Sequence, residues 1–600
     1  MNFPVIRSSV WHRGLALLLM LFCAIALQSC DLKDYLKAEA RVPEIVHYNL
    51  SDPKTFNPAL SEEYPNIFLY THDGLVFENG RGELEPALAE SWEITDDNKK
   101  IVVTLREGLK WSDGEPLTAD DVVFTYNEVY FNEAIPTSTR DILRVGESGT
   151  LPEVRKLDDR RVEFTTIEPF APMLRNLEAD IMPAHSLRAA LEEDSDGKIA
   201  FLSTWGVDAD PSTIVGNGAY MLDRYVTSER VVFKRNPYSW RKDEQGDQQP
   251  YIDRFVWQIV ESTDTALLKF RSGELDSIGV SPQYFSLLKS EEKRGNFNIY
   301  DDGPASGTTF ICFNLNKGTR EGKPLIDPIK SRWFNTLEFR QAVAYSIDRQ
   351  AMIRTTFQGL GEPQIAPLSV QSPFYAPEGL PTYDYNPKKA KELLLSAGFQ
   401  YNAQDELLDS DGNRVKFTLI TNAGNKSRES MGAQIRQDLA KIGIQVDFEP
   451  LAFNVLVDKL TNSLDWDCHL IGFTGGVEPH GGMNVWSPDG RLHSFNQITQ
   501  PGQTPVEGRE VYPWEAKIGE LYIEGARELD EAKRKAIYAE TQQIAMEYLP
   551  YIYLVNPLAM AAVRDRIEGV EYSALNGIYW NLYEQQLKGM GSGAATELTE

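Results

Sequence analysis

The sequence predicts α/β lobes, not a helical bundle or a β-sandwich. Three observations carry that expectation. At 600 residues the chain is too long for one hydrophobic core and has the length of roughly four domain-sized units. Hydrophobic residues make up 42% and aromatic residues 11%, which is a packing composition, not a disordered one. Short β-branched and aromatic runs also alternate along the chain with segments of helical period.

The N-terminus reads as a secretory signal. Arg7, His12 and Arg13 precede the apolar run Leu15–Leu27, and Gln28-Ser29-Cys30 follows. A basic start, a short apolar middle and a small residue before a cysteine make a cleaved segment, too short for a spanning helix. "LQSC" resembles the bacterial lipobox, which implies cleavage after residue 29 and acylation of Cys30, for example with palmitate. Asp31 resembles an inner-membrane retention signal. No later stretch approaches ~18 uninterrupted apolar residues, so the mature chain is expected to be tethered by lipid alone. Residues 30–41 read as a linker.

Extended segments come next. Lys100–Arg106, Arg161–Ile167, Arg230–Asn236 and Arg254–Val260 are rich in β-branched and aromatic residues and are bounded by turn residues such as Asp96-Asp97-Asn98. Ser112-Asp113-Gly114 reads as a tight turn, and Thr118 as the cap of a helix with Asp120 and Asp121 in its first turn. That placement explains both acids without a metal or acid–base role. Helices strengthen later. In Tyr385–Phe399, Asn386 caps, Pro387 fits the first turn, Gly398 fits the end, and Ala390, Leu393, Leu394 and Ala397 form one stripe. Asn335–Arg349 and Asp530–Pro550 read as two further amphipathic helices. Residues 588–600 carry no apolar pattern and read as a disordered tail.

Composition excludes several functions. A formal charge of −28 repels nucleic acid and anionic headgroups. Past the signal and Cys30, only Cys312 and Cys468 remain, both in apolar strand-like settings, so buried free thiols are expected instead of a disulfide or a CxxC site.

The densest local feature is Ile471–Gly482, "IGFTGGVEPHGG". A phosphate loop needs a Lys and a following hydroxyl, and both are missing. His469, His480 and His493 lie near Glu478 and are candidate metal ligands, but their spacing of 11 and 13 matches no compact motif. Glu478 has no second carboxylate at controlled spacing, and no G-x-S-x-G or HExxH occurs. What stays open is a glycine-rich binding loop, whose bare backbone approaches a ligand closely, or a plain turn with a solvated acid.

Eight motifs in order then carry a resemblance: Glu85–Asn127, "DIMPAHSL" (Asp180–Leu187), "GNGAYML" (Gly216–Leu222), "FKRNPYSW" (Phe233–Trp240), "FRSGELD" (Phe270–Asp276), "FRQAVAYSIDR" (Phe339–Arg349), Tyr385–Phe399 and "LDWDCHLIGF" (Leu464–Phe473). Together they resemble the extracytoplasmic solute-binding proteins of the peptide, dipeptide and nickel type (family 5), which feed ABC importers. The resemblance implies a bilobal α/β Venus flytrap with an inserted subdomain. Lobe I would combine 42–60, 185–306 and 556–587, the insert 61–184, and lobe II 307–555, with Thr308–Asn316 and Tyr551–Pro557 crossing between lobes. It implies a monomer on the periplasmic face of the envelope, an oligopeptide-like ligand, delivery to permease subunits, no cofactor and no catalysis. A nickel or metallophore binder is the alternative ligand class, and a hydrolase or sensor the alternative activity. Glu478 stands where an acid pairs with the ligand's α-ammonium in peptide-binding relatives, one methylene longer than their Asp. Phe473, Thr474, Gly475 and Gly476 accompany it, and Trp486 adds a wall. Phe310, Cys312 and Asn314 on the first crossing strand, and Thr55, Phe56 and Asn57 of the early "KTFNP" loop, would face the same cleft.

Overall fold

The computed structural model describes residues 43–589 except 62, 64 and 501, so the signal segment, Cys30 and the last eleven residues lie outside it. The chain divides after Glu44. Of the first unit only Pro43 and Glu44 are described, and the compact unit from Ile45 onward carries the fold.

Strands Glu44–Asn49, Arg254–Ile259, Arg230–Arg235 and Tyr220–Val226 form one sheet in that order. A second sheet centres on the long strand Val555–Arg564, flanked by Ser277–Gly279 and Phe297–Pro304, with Gly361–Pro363 pairing its first residues. Asp276 ties the two sheets together: Oδ2 accepts from the Val46 N–H at 2.8 Å, and its own N–H donates to the Val46 carbonyl at 2.7 Å. A separate antiparallel sheet orders Ala89–Thr95, Lys100–Leu105, Arg161–Thr165 and Glu153–Lys156. Along Lys100–Leu105 the side chains of Ile101, Val103 and Leu105 are buried, the period of two that a one-sided sheet requires.

The fourth large sheet orders Gln445–Leu451, Lys416–Asn422, Cys468–Phe473, Thr308–Phe313 and Tyr551–Tyr553. The first three run parallel, and helix Lys426–Ala440 supplies the crossover that a parallel pair needs. Thr308–Phe313 is antiparallel to both its neighbours.

Separate buried clusters fill these bodies. One is drawn entirely from residues between 310 and 555; another from residues 45–257 and 561–587 with Ala526. The chain crosses twice: Phe297–Pro304 leads into Thr308–Phe313, and Tyr551–Tyr553 leads back into Val555–Arg564. The crossings run side by side. Leu554 donates to the Thr309 carbonyl and Ala305 to the Pro557 carbonyl, each at 2.9 Å.

Local punctuation follows the sequence closely. Thr118 and Asp121 form a reciprocal capping box, and Asp121 Oδ1 also accepts from the Ala184 N–H at 3.0 Å. Asn386 caps its helix through the Lys389 N–H at 3.0 Å, and Gly398 adopts φ 89° beyond its end. Cys312 and Cys468 are buried free thiols. One expected helix, Asn335–Arg349, is corrected. Thr336 is extended and separates Pro328–Asn335 from Leu337–Ser346, and Asp348 then caps a third helix, Arg349–Thr355, through the Ala351 N–H at 2.7 Å. A threonine and an aspartate that can bond nearby backbone favour ends over interiors, and here they override the apolar period.

Two outcomes test this packing. Helix Pro513–Arg527 starts on Glu515, which is wholly buried and accepts from His493 Nε2 at 2.9 Å, Asn496 Nδ2 at 2.9 Å and Arg509 Nη2 at 3.3 Å. Glu515→Ala strands Arg509 and His493, at roughly 3–5 kcal/mol. Denaturant unfolding followed by tryptophan fluorescence should show that loss, while exposed Glu520→Ala stays within about 0.5 kcal/mol. The second outcome concerns Glu178 and Asp180. Burial, with Glu78 nearby, pushes the Glu178 carboxyl up to about 8, and burial beside Asp73 pushes Asp180 up to about 7. Both hold protons more tightly folded than unfolded. Their stabilisation is therefore full below the unfolded range near ~4 and is lost as pH rises toward the folded values. Calorimetry should show a melting temperature that falls between pH 5 and pH 8, less steeply in the Glu178→Gln/Asp180→Asn variant.

Candidate functional site

Three cavities stand out among the described residues; one of about 300 Å³ lies on 79–85, Asp302 and 571–584, away from the second crossing, and the other two compete. The larger, about 580 Å³, lies within the first body, between its sheet residues His47, Tyr48 and Ala561 and the cover formed by 65–78 and 572–583. The smaller, about 290 Å³, is lined by Ser306 and Thr308 from the first crossing and by Tyr551 and Tyr553 from the second. Size favours the first; position favours the second, because only there does an occupant touch both connections between bodies. Its volume sits at the lower edge of the roughly 300–1,000 Å³ usual for ligand pockets.

The glycine-rich loop forms one wall. Strand Cys468–Phe473 ends at Phe473, whose ring packs 5.0 Å from Phe310 and 5.9 Å from Tyr551. Thr474, Gly475 and Gly476 follow along the wall. Gly475 has no alternative: a Cβ there would lie 1.7 Å from the Ser306 carbonyl oxygen, so only glycine lets the loop rest on the crossing segment. Gly476 and Gly481 have open space on that side, which leaves their backbone groups unhindered. Trp486 closes the cavity edge-on to Tyr551, with ring centres 5.5 Å apart. Helix Pro513–Arg527 contributes Tyr522.

Glu478 lines the cavity but is already paired. Oε1 accepts from the His480 N–H at 3.2 Å, capping the turn Pro479–Gly482, and lies 2.6 Å from Arg534 Nη2. The two side chains are 13% and 9% exposed. Arg534, from helix Glu531–Tyr548, also donates Nε to the Gly525 carbonyl at 2.9 Å and lies over the Phe374 ring. Separating a pair buried to this degree costs several kcal/mol, because one charge is left without a partner. Neither the free hook nor the solvated turn acid describes this carboxylate.

The other expected contacts lie elsewhere. Phe310 and Cys312 are fully buried, Phe310 behind Tyr551 at 4.5 Å and Cys312 with Sγ 3.8 Å from Ser494 Oγ. Their strand is paired on both edges, and from Phe310 to Phe313 its side chains are buried against other elements instead of facing the cavity. Asn314 donates to the Leu464 and Trp466 carbonyls. Phe56 packs on Tyr225 at 5.4 Å, Thr55 accepts from the Asn57 N–H at 3.1 Å, and buried Asn57 donates to the Phe201 and Thr204 carbonyls. None of these six lines the cavity. Sequence reasoning missed Thr308, Asn484, Tyr522, Tyr551 and Tyr553. The period-two spacing of Tyr551 and Tyr553 in a crossing strand was the available signal. Arg534, 56 residues beyond its partner, gave none.

The histidines are engaged separately. His480 lies 2.9 Å through Nε2 from the Ile142 carbonyl, and His493 bridges the Val485 carbonyl and Glu515. His469 is buried against Trp466. No group of three or more His, Cys, Asp or Glu among the described residues could hold a metal.

Segments beside the loop also reach the 61–184 region. The Arg491 N–H donates to Asp141 Oδ2 at 2.8 Å, the Ala171 N–H to the Ala526 carbonyl at 2.8 Å, and Arg527 pairs with Glu168 at 3.0 Å.

This architecture has relatives. A "Probable ABC transporter-binding protein" of Deinococcus radiodurans is 30% identical over 547 residues, 88% of each chain. The oligopeptide-binding protein AppA of Bacillus subtilis is 25% identical over 548 residues, 89% of this chain and 90% of its own. The structure of that AppA in complex with a nonapeptide superposes with a TM-score of 0.76 at 23% identity, covering 91% of this chain and 98% of the other. Two sheet-centred bodies joined by paired crossings are thus the bilobal periplasmic-binding-protein fold. Residues 83–491 match the model of the bacterial extracellular solute-binding proteins, family 5. With that match spanning more than half of the chain, and relatives aligned nearly end to end, the protein belongs to that solute-binding family.

Proposed function

We propose that this protein is a lipid-anchored binding protein of an ABC importer, holding an oligopeptide-like ligand in the cavity beside the glycine-rich loop and delivering it to the permease. One observation carries the reading: side chains from both crossings, Thr308 and Tyr551 among them, line the same cavity. An occupant there bears on the geometry between the lobes, and a ligand that contacts the closed form better than the open one shifts the population toward it. The permease would then recognise the closed form. The lobes would be 42–60 with 185–306 and 556–587, and 307–555, with 61–184 inserted; the Arg491–Asp141, Ala171–Ala526 and Arg527–Glu168 contacts would hold the insert against lobe II.

Binding without turnover fits the site. Glu478, the acid on the cavity wall, is held by Arg534 and is not placed as a free acid or base. The separate engagement of His469, His480 and His493 favours a ligand bound without metal. Anchoring rests on "LQSC" and Cys30, outside the described residues. Among those that are described, no helix is long and apolar enough to cross a membrane.

Native mass spectrometry of the purified mature protein should detect a bound species of peptide mass. Re-adding a peptide at a hundred times its Kd should stabilise the stripped protein by about 2.7 kcal/mol and leave the peptide's mass unchanged over hours. Absence of any bound peptide and of any stabilisation, or cleavage of the peptide, would overturn the reading. In cell fractionation, Cys30→Ser should move the protein from the membrane to the soluble fraction; if it stays with the membrane, lipidation at Cys30 is not the anchor.

A further inference from the structure

The wall of the smaller cavity is neutral. Glu478 is the single residue of its lining that carries a formal charge, and Arg534 sits on that carboxylate at 2.6 Å. The guanidinium is itself fixed by the Gly525 carbonyl at 2.9 Å and by the rings of Phe374 and Tyr538, 5.3 and 5.8 Å from its centre. An incoming ammonium would have to displace a planar, multiply bonded cation from a pocket built around it. If it bound without doing so, it would add an uncompensated positive charge to a partly buried site.

What the wall offers instead is uncharged hydrogen bonding. The hydroxyls of Tyr522 and Tyr553 have no hydrogen-bond partner among the described residues, although each side chain is only 3% exposed and both line the cavity. Burial pushes both phenols well above their ordinary range, so each stays a neutral donor and acceptor. The Thr308 and Thr474 hydroxyls and the Asn484 carboxamide on the same wall likewise lack a partner among the described residues. Phe473, Trp486 and Tyr551 supply apolar faces between them. A polar group without a protein partner is free to bond an occupant, and five neutral ones line this space, two of them on the buried side chains Tyr522 and Tyr553.

We infer that this subsite, taken as the ligand site proposed above, receives an uncharged hydrogen-bonding part of the ligand, an amide or hydroxyl group packed against aromatic faces, instead of a free α-ammonium. An acylated or internal peptide segment brings the amide; a neutral oligosaccharide brings the hydroxyls. The inference rests on the cavity being the ligand site and departs from the peptide-binding pattern at Glu478.

The test uses the full mature protein stripped of ligand, and pentapeptides with uncharged side chains in two matched sets, one with free and one with N-acetylated amino ends. A third arm offers neutral malto-oligosaccharides. Retained compounds are identified by mass after gel filtration. Acetylated peptides should be retained within about threefold of their free counterparts, or better. In Arg534→Gln, where Glu478 is released, the free-amine set should gain at least tenfold over the acetylated set. The double variant Glu478→Gln/Arg534→Gln, which removes both charges together, should keep the original preference and serves if the single variant does not fold. A tenfold or greater preference of the unaltered protein for free amines overturns the inference and leaves the peptide reading standing. Retention of oligosaccharides and no peptide supports the inference and overturns the peptide reading. Retention of nothing overturns both.

Discussion

Two backbone hydrogen bonds hold the connection between the bodies on which the rest of the structure depends. Leu554 bonds to Thr309 and Ala305 to Pro557, each at 2.9 Å, so the two passages of the chain lie side by side as one short double connection. Each passage is the end of one strand and the start of another, so neither is a free linker. The separate cores on either side show why a hinge belongs there: burial is satisfied within each body, and little of either core spans the junction. Bending can concentrate where the fewest packed side chains must move.

The same junction explains where the cavity lies. Tyr551 and Tyr553 of the second crossing belong to one core yet line the cavity together with Ser306 and Thr308 of the first, and the glycine-rich loop forms another wall. Gly475 is the close contact in that arrangement, since its backbone rests on the Ser306 carbonyl with no room for a side chain. Chain geometry at the junction thus fixes which backbone groups meet an occupant.

Electrostatics then separates this site from its most direct reading. A carboxylate on a pocket wall invites a cationic partner, and the fold supplies that partner internally. Arg534 reaches Glu478 from a helix whose first turn is capped by Asp530 through the Lys533 N–H at 3.0 Å. Pairing neutralises the wall while retaining a rigid, bidentate-capable group behind it. By contrast, burial raises the carboxyls of Glu178 and Asp180 in the larger cavity, and Arg175, which pairs with Glu78 at 2.8 Å, offsets only part of that rise at Glu178.

Much of the fold was legible in the residues because its signals are local. The Thr118–Asp121 box, the Asn386-Pro387 start and Gly398, and the alternation in Lys100–Leu105 each depend on contacts within a few positions. The break at Thr336 was not legible, because periodicity and local side-chain bonding point opposite ways there. In the site, Phe473, Thr474, Gly475, Gly476, Glu478 and Trp486 could be identified from composition and resemblance, and the structure places them along the cavity. That both faces of Thr308–Phe313 are covered from Phe310 onward could not, since alternation only names two faces and the packing of distant elements decides which are buried. By itself the sequence determined the α/β elements, their caps and the loop that forms a cavity wall. Only the tertiary structure decided that Glu478 is neutralised, because its partner lies 56 residues away on another element, and charge pairing depends on distance in space, not in sequence.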